Sequence, residues 1–365
     1  MMNFNFLPSR RIAIYMARLF ATRSLAVLIM LVMVLMALDL LGESGKILAV
    51  PGNGEPDLWR YVGLRVPMIA SRFLPFAVLL GTLIAFTGLN QHSEVVAMKA
   101  AGLSAHQILA PMVIASLFVA IAAFAFNETV VVRAPRAISA WTNADYHPVP
   151  PQTQAISNVW LRDGDNPVHI RGVGGRGEAV QLRGVTIYER DSGRLARVID
   201  AASGERVGGR WMLRDATIYD SEQNVTRRYR ELPALGNVLP SQITLAKVEP
   251  AERDFTALDE AIGELQRAGR STDAARTGWW HKLSGPLSTV LMPLLAALAA
   301  FGLARSGQVL LRATIGMALG FAYFVADNFS LALGNAGAYP PLLAAWAPFV
   351  LFFLIGETVL FRSEE

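Results

Sequence analysis

Long apolar segments occupy both ends of the chain, and a stretch of different periodicity separates them. Leu25–Leu41 is almost purely apolar, and Val62–Leu89 and Ile108–Val132 are two further runs of membrane-crossing length. Pro67 and Pro75 fall inside the second run and predict kinks there. From Arg133 to Phe255 nothing is long and apolar enough to span. Short alternating runs take over: Asn158–Arg162, Val168–Val173, Val180–Tyr188, Leu195–Asp200, Arg210–Tyr219 and Val225–Leu232, bounded by Gly, Asp and Ser. Such alternation is half-buried strand, and this many strands without helices predict a β-sandwich or jelly roll. Asp254–Arg267 then puts Leu258, Ile262 and Leu265 on one helical face, and Leu283–Leu303, Val309–Leu333 and Leu342–Phe361 are three more apolar runs. The pattern predicts an α-helical membrane protein of six transmembrane helices, three on each side of a central β-jellyroll domain. The expected divisions are 1–135 for the first helical half, 136–255 for the β-domain, and 256–365 for a linker helix and the second half.

Charge gives this layout a direction. Arg10, Arg11, Arg18 and Arg23 sit among apolar residues, an amphipathic basic segment suited to the cytoplasmic interface. No small-x-small cleavage site closes Leu25–Leu41, so it reads as an uncleaved first span with the N-terminus in the cytoplasm. Gly42–Leu58 is a Gly/Pro-rich loop on the far side. Arg305, Arg312 and Arg362 mark a cytoplasmic loop and a cytoplasmic C-terminus, which leaves the β-domain outside.

The polar break Asn90–Gln107 lies between the second and third spans. Ser93 is placed to cap a helix whose first turn holds Glu94, where a carboxylate suits the helix dipole. Gly102 is placed to end that helix in a left-handed residue, and Ser104 with Gln107 forms a capping box that opens the next. The result is a short, exposed cytoplasmic helix held at both ends by membrane spans, with no catalytic group in it.

Composition narrows the function further. The chain has 365 residues, 53% hydrophobic and 17% charged, with mean hydropathy +0.37, as a membrane protein requires. The net charge of +4 comes without Lys/Arg runs, so no nucleic-acid partner is expected. Zero cysteines exclude disulfides, thiolate metal sites and thiol nucleophiles. The five histidines, His92, His106, His147, His169 and His281, lack ligand spacing, and no metal site is expected. Gly172–Gly177 fits a dinucleotide pattern formally, but a strand follows it where a helix is needed, so it reads as a hairpin loop. Walker A, His-Glu-x-x-His and Gly-x-Ser-x-Gly motifs are absent. Asp39, Glu128, Asp327 and Glu357 lie in or near spans and need partners or a cavity, Asp327 with Asn328 reading as a hydrogen-bond node.

Three stretches together resemble a known family. They are Val66-Pro67 through Phe73-Leu74-Pro75 into Leu79-Leu80-Gly81; Ser93-Glu94-Val95-Val96-Ala97-Met98 with Ala100-Ala101-Gly102; and His281-Lys282-Leu283-Ser284-Gly285-Pro286-Leu287. With the layout of three spans, β-domain and three spans, they resemble the LptF/LptG permeases of the lipopolysaccharide export transporter. Asn158-Val-Trp-Leu-Arg-Asp-Gly is closer to the LptG type.

The resemblance implies a bacterial inner-membrane permease that is not itself an enzyme. It would pair with a homologous LptF/LptG permease and with a cytoplasmic ATPase dimer of LptB type. Lipopolysaccharide would pass through the periplasmic β-domain to bridge proteins of LptC/LptA type. No cofactor would be bound by this chain; ATP and magnesium would belong to the ATPase. The short helix would be the coupling helix, with Glu94, Ser93, Met98 and Gly102 as its candidate residues. Arg65, Arg72, Arg133 and Arg136 lie at the outer ends of the second and third spans, against the usual charge bias. A guanidinium binds phosphate bidentately, so these four are candidates for a collar that receives the lipid's phosphates; plain snorkelling to headgroups is the alternative. Where family members carry Lys, this chain has Met36 and Met68, which makes these arginines substitutes. The inner-face candidates in the β-domain are Ile170, Val180, Leu182, Ile187 and Ile218. Two rival classes are a scaffold that passes force to a periplasmic partner and an intramembrane lipid-modifying enzyme.

Overall fold

A computed structural model describes residues 8–147, 156–174, 180–191, 194–221, 225–236, 238, 243, 248–267, 269–298 and 309–362. The chain divides into two compact units, one of residues 1–138, 250–262 and 271–365, the other of 139–249 and 263–270.

In the first unit, α1 (Arg10–Leu48), α2 (Glu55–Gln91), the short α3 (Glu94–Ala100) and α4 (Ala105–Thr129) precede the sheet. A 3-10 turn (Val131–Arg133) and α5 (Ala134–Asn143) prolong α4. After the sheet come α6 (Phe255–Arg267), α7 (Asp273–Ala297), α8 (Val309–Asn335) and α9 (Pro341–Arg362). Five stretches among the described residues are long and apolar enough to cross a membrane: Arg10–Leu48, Glu55–Gln91, Ala105–Thr142, Thr314–Asn335 and Pro341–Arg362. The expected span Leu283–Leu303 begins in α7 and runs outside the described residues, where Arg305 and the tip of the Gly172–Gly177 loop also lie.

Three helical expectations change. The basic segment up to Arg23 is not a separate interfacial piece: it is the first part of α1, whose 39 residues form one helix. At 1.5 Å per residue α1 is about 58 Å long, roughly twice a bilayer's hydrocarbon thickness. The far-side loop is correspondingly short, because Gly42 and Gly45 lie inside α1 and α2 begins at Glu55. The region after Arg133 begins as helix, not strand: α5 carries Pro135 in its first turn, where the missing N–H costs nothing.

α7 packs against α2, α4, α8 and α9, and α1 packs chiefly along α2. Small residues set these approaches. A Cβ on Gly81 would sit 2.5 Å from the Ser24 backbone of α1. One on Gly334 would sit 2.4 Å from Ala344, and one on Gly320 would press into the Leu79 side chain. Close contact of this kind is how helices gain dispersion energy in lipid, where apolar burial alone gives little. Leu291 through Ala297 of α7 are all buried.

In the second unit, β1 (Ile156–Asp163), β2 (Asn166–Gly174), β3 (Gln181–Asp191), β4 (Arg194–Val207), β5 (Arg210–Asp220) and β6 (Val225–Ala234) form one antiparallel sheet in chain order. Each expected strand is present, and the pairing among the described strands is a meander without crossovers. The two-layer character expected of a jelly roll arises differently. Pairing skips one line of positions across all six strands: Asn158, Arg171, Gly184, Ala202, Asp215 and Arg230. Gly184 and Asp215 on that line have φ of 60° and 50°. The buried side chains change parity there: Ile170 then Val173, Leu182 then Val185, Ala201 then Gly204, Leu213 then Ala216. In β3 and β5 the left-handed residue reverses the alternation, so the same face stays inward on both sides of the line. The sheet is thus creased and folds onto itself around Val168, Ile170, Val180, Leu182, Ile187 and Trp211. Trp211 also donates its indole N–H to the Val238 carbonyl at 2.8 Å.

Candidate coupling helix and arginine collar

α3 is fixed at both ends by its own backbone chemistry. At its end the Gly102 N–H donates to the Lys99 carbonyl at 2.9 Å and the Leu103 N–H to that of Met98 at 3.1 Å. This is the Schellman pattern, and Gly102 has the left-handed φ of 86° it requires. Two residues on, the capping box is present: the Gln107 N–H reaches Ser104 Oγ at 3.2 Å, and the Ser104 N–H reaches Gln107 Oε1 at 3.1 Å. At the start of α3 the structure departs from expectation. Ser93 occupies the cap position but makes no side-chain cap bond, because its backbone is left-handed at φ 60°. That conformation costs a non-glycine residue about 1–2 kcal/mol.

α3 is anchored by few side chains. Val95 is buried in the main apolar core, and Met98 and Leu103 pack against it. Val96 is 65% exposed, and Ala97, Lys99 and Ala100 are exposed too. Met98 therefore belongs to the anchor, while Val96 joins the free face. Glu94 has a partner that the sequence did not disclose: the Tyr15 hydroxyl of α1 donates to its Oε1 at 3.2 Å. Nothing in the spacing of 79 residues could have signalled this contact.

The four arginines fall into three situations. Arg65 makes a two-point pair with Asp39 of α1, Nε to Oδ2 and Nη2 to Oδ1, both at 2.9 Å. Tyr61 adds a bond to the same carboxylate at 2.7 Å. Asp39 thereby has the partner its place in a span demands. Arg136 lies 3.8 Å from Glu252. Arg72 and Arg133 are exposed, and no ion pair of theirs occurs among the described residues. Ser71 beside Arg72 donates to Asn127 Oδ1 at 2.5 Å, tying that level of α2 to the end of α4.

Two of the other three intramembrane acids also have company, while Asp327 is half-buried in α8 beside Asn328, whose side-chain amide donates to the Phe324 carbonyl. Glu357 of α9 lies 3.3 Å from His106 Nε2 of α4. Glu128 is bonded to Lys282 and to the Phe255 backbone. Among the described residues no group of three or more His, Cys, Asp or Glu is placed to hold a metal.

The features so far define a class: a helical membrane protein with an antiparallel sheet inserted between its helical halves and a short exposed helix linking two spans. The chain belongs to the LptF/LptG family, whose model, described as lipopolysaccharide export system permease LptF/LptG, matches residues 14–362. It is similar to the lipopolysaccharide export system permease protein LptG of Escherichia coli K12, 26% identical over 310 residues, 83% of this chain and 85% of that one. It is likewise similar to the LptG protein of Haemophilus influenzae, 25% identical over 323 residues, 86% of this chain and 89% of that one.

Proposed function

We propose that this chain is an LptG-type permease subunit that extracts lipopolysaccharide from the inner membrane under power from a separate cytoplasmic ATPase. The observation that carries this reading is α3: a helix set between two spans, anchored mainly by Val95 and offering Val96 and Lys99 outward, with half-exposed Glu94 beside Tyr15 at its start. A nucleotide-driven dimer that grips α3 moves α4 directly, because only Ala101, Gly102, Leu103 and Ser104 lie between the two helices. Glu94 meets a basic residue of the ATPase, a charge-assisted contact at a helix start. ATP and magnesium are bound by that partner.

A homologous permease completes the cavity, with the β-domain in the periplasm handing lipid to bridge proteins of LptC/LptA type. Arg72 and Arg133, which lack internal partners among the described residues, are the collar positions most open to the lipid's phosphates. The apolar interior around Ile170, Leu182 and Ile187 suits acyl chains in transit. The force-transmitting scaffold and the lipid-modifying enzyme are less well supported: Asp39, Glu128 and Glu357 each face a basic partner among the described residues.

The test is Glu94→Ala in the co-expressed complex. Membrane insertion is expected to be normal, while ATPase co-purification weakens and lipid export is lost. Undiminished co-purification and export would sink the coupling role.

A further inference from the structure

Glu128 closes α4 in an unusual setting. Its side chain is 14% exposed, as is that of Lys282 in α7, whose Nζ donates to Oε1 at 2.5 Å. The other oxygen, Oε2, accepts the backbone N–H of Phe255 at 2.5 Å, the first residue of α6. One carboxylate thus joins α4 to α6 and α7, through residues 127 and 154 positions further along the chain. A carboxylate with both oxygens engaged by a cation and an N–H is strongly held in a poorly hydrated place.

The surroundings reinforce the join. The Phe255 ring lies 4.4 Å from Trp279 of α7 and 6.3 Å from Phe124 of α4, centroid to centroid. Pro250, just before α6, packs so closely on Gly278 that a Cβ there would come within 2.3 Å. Asp254 caps α6 through the Ala257 N–H at 2.7 Å and the Thr256 hydroxyl at 2.9 Å. Those two donors hold its carboxyl below the usual carboxylate range, the Ala257 N–H contributing most. The Arg136–Glu252 contact spans the same two segments.

We infer that Glu128 is a positioning residue: it clasps the outer end of α4 to α7 and to the start of α6. Arg133 and Arg136 follow it by five and eight residues on the same helical continuation, so the clasp fixes where they stand. α4 begins at the Ser104 cap beside α3 and ends at Glu128, about 37 Å away along one helix. Displacement at the α3 end therefore arrives at the return linker and at the arginines together. The transport part of this inference rests on the function proposed above; the positioning part does not.

The absence of cysteine makes a direct test simple. Spin labels at Ala125→Cys and Glu260→Cys report the α4–α6 distance in the complex with its ATPase partners. Replacing the pair together, Glu128→Met with Lys282→Met, leaves no lone buried charge and keeps the protein inserted. It leaves the Phe255 N–H without its acceptor. The distance distribution is expected to change from one narrow peak to a broad one. Lipid exported per ATP hydrolysed is expected to fall roughly tenfold, the scale of one hydrogen bond to a charged group. A narrow, unshifted peak in the double variant overturns the positioning role, whatever Glu94→Ala does. A broad peak with full export per ATP overturns its link to transport. A failure of Glu94→Ala to affect export sinks the proposed function and leaves the distance measurement standing.

Discussion

At the scale of single residues, the arginines differ by what already holds them. Arg65 satisfies Asp39 through two bonds, with Tyr61 completing the set. Truncating it strands a half-buried carboxylate, a mainly structural loss of about 1–3 kcal/mol. Arg72→Ala and Arg133→Ala remove exposed groups and are expected to leave the thermal midpoint within a degree or two of the parent. They should lower the amount of co-purified lipopolysaccharide, each by about the value of one charge-assisted bond, several-fold to tenfold. Equal lipid retention in all three single variants would argue against the collar. The spacing of seven between Arg65 and Arg72 correctly puts them on one helical side. It could not separate their roles, because the discriminating residue, Asp39, belongs to another helix. Tyr15 is hidden from sequence reasoning for the same reason. Ser93 is a subtler case: Ser at a helix start favours a cap, yet its left-handed backbone turns the side chain to no such use.

At the scale of elements, local codes were the legible part. Gly102, the Ser104–Gln107 box and the alternation of the six strands each act within a few residues, and each takes the form its chemistry predicts. Boundaries that depend on context were not legible. Gly42 and Gly45 read as loop but sit within α1, since a helix near lipid keeps its backbone bonds even through glycine. α5 is not legible because its ten residues mix Pro, Ser and Thr with apolar positions, too short a stretch to declare a period. The helix crossings give a prediction of their own. Gly81→Val would drive its side chain into Ser24 of α1, whose backbone N and Cα lie as near as its Oγ and cannot swing aside. Overpacking of this kind costs about 1–3 kcal/mol, so the α1–α2 pair should loosen and the detergent-solubilised protein should melt lower. Gly88→Val, at a position where a Cβ meets nothing within 4 Å, serves as the matched control. Equal melting of the two variants would contradict the tight crossing.

At the scale of the molecule, everything mechanical depends on sidedness, and the cysteine-free chain is suited to test it. A single cysteine at Val96 should react with a membrane-impermeant maleimide only after the cytoplasmic face is opened. One at Trp160, which is 57% exposed on β1, should react in intact spheroplasts. The reverse pattern at either position would invert the scheme. The meander plan of the described sheet is not legible in the sequence, because strand count and alternation say nothing of which strands pair. The line of skipped pairs across the strands was equally hidden, since its left-handed positions are an ordinary Gly184 and an Asp215.

That line has a mechanical meaning. Two separate sheets could slide apart like boards, each keeping its own pairing. Here every strand runs through both leaves, so the interior has a spine. To widen it, the joints along that line must give together and not one by one.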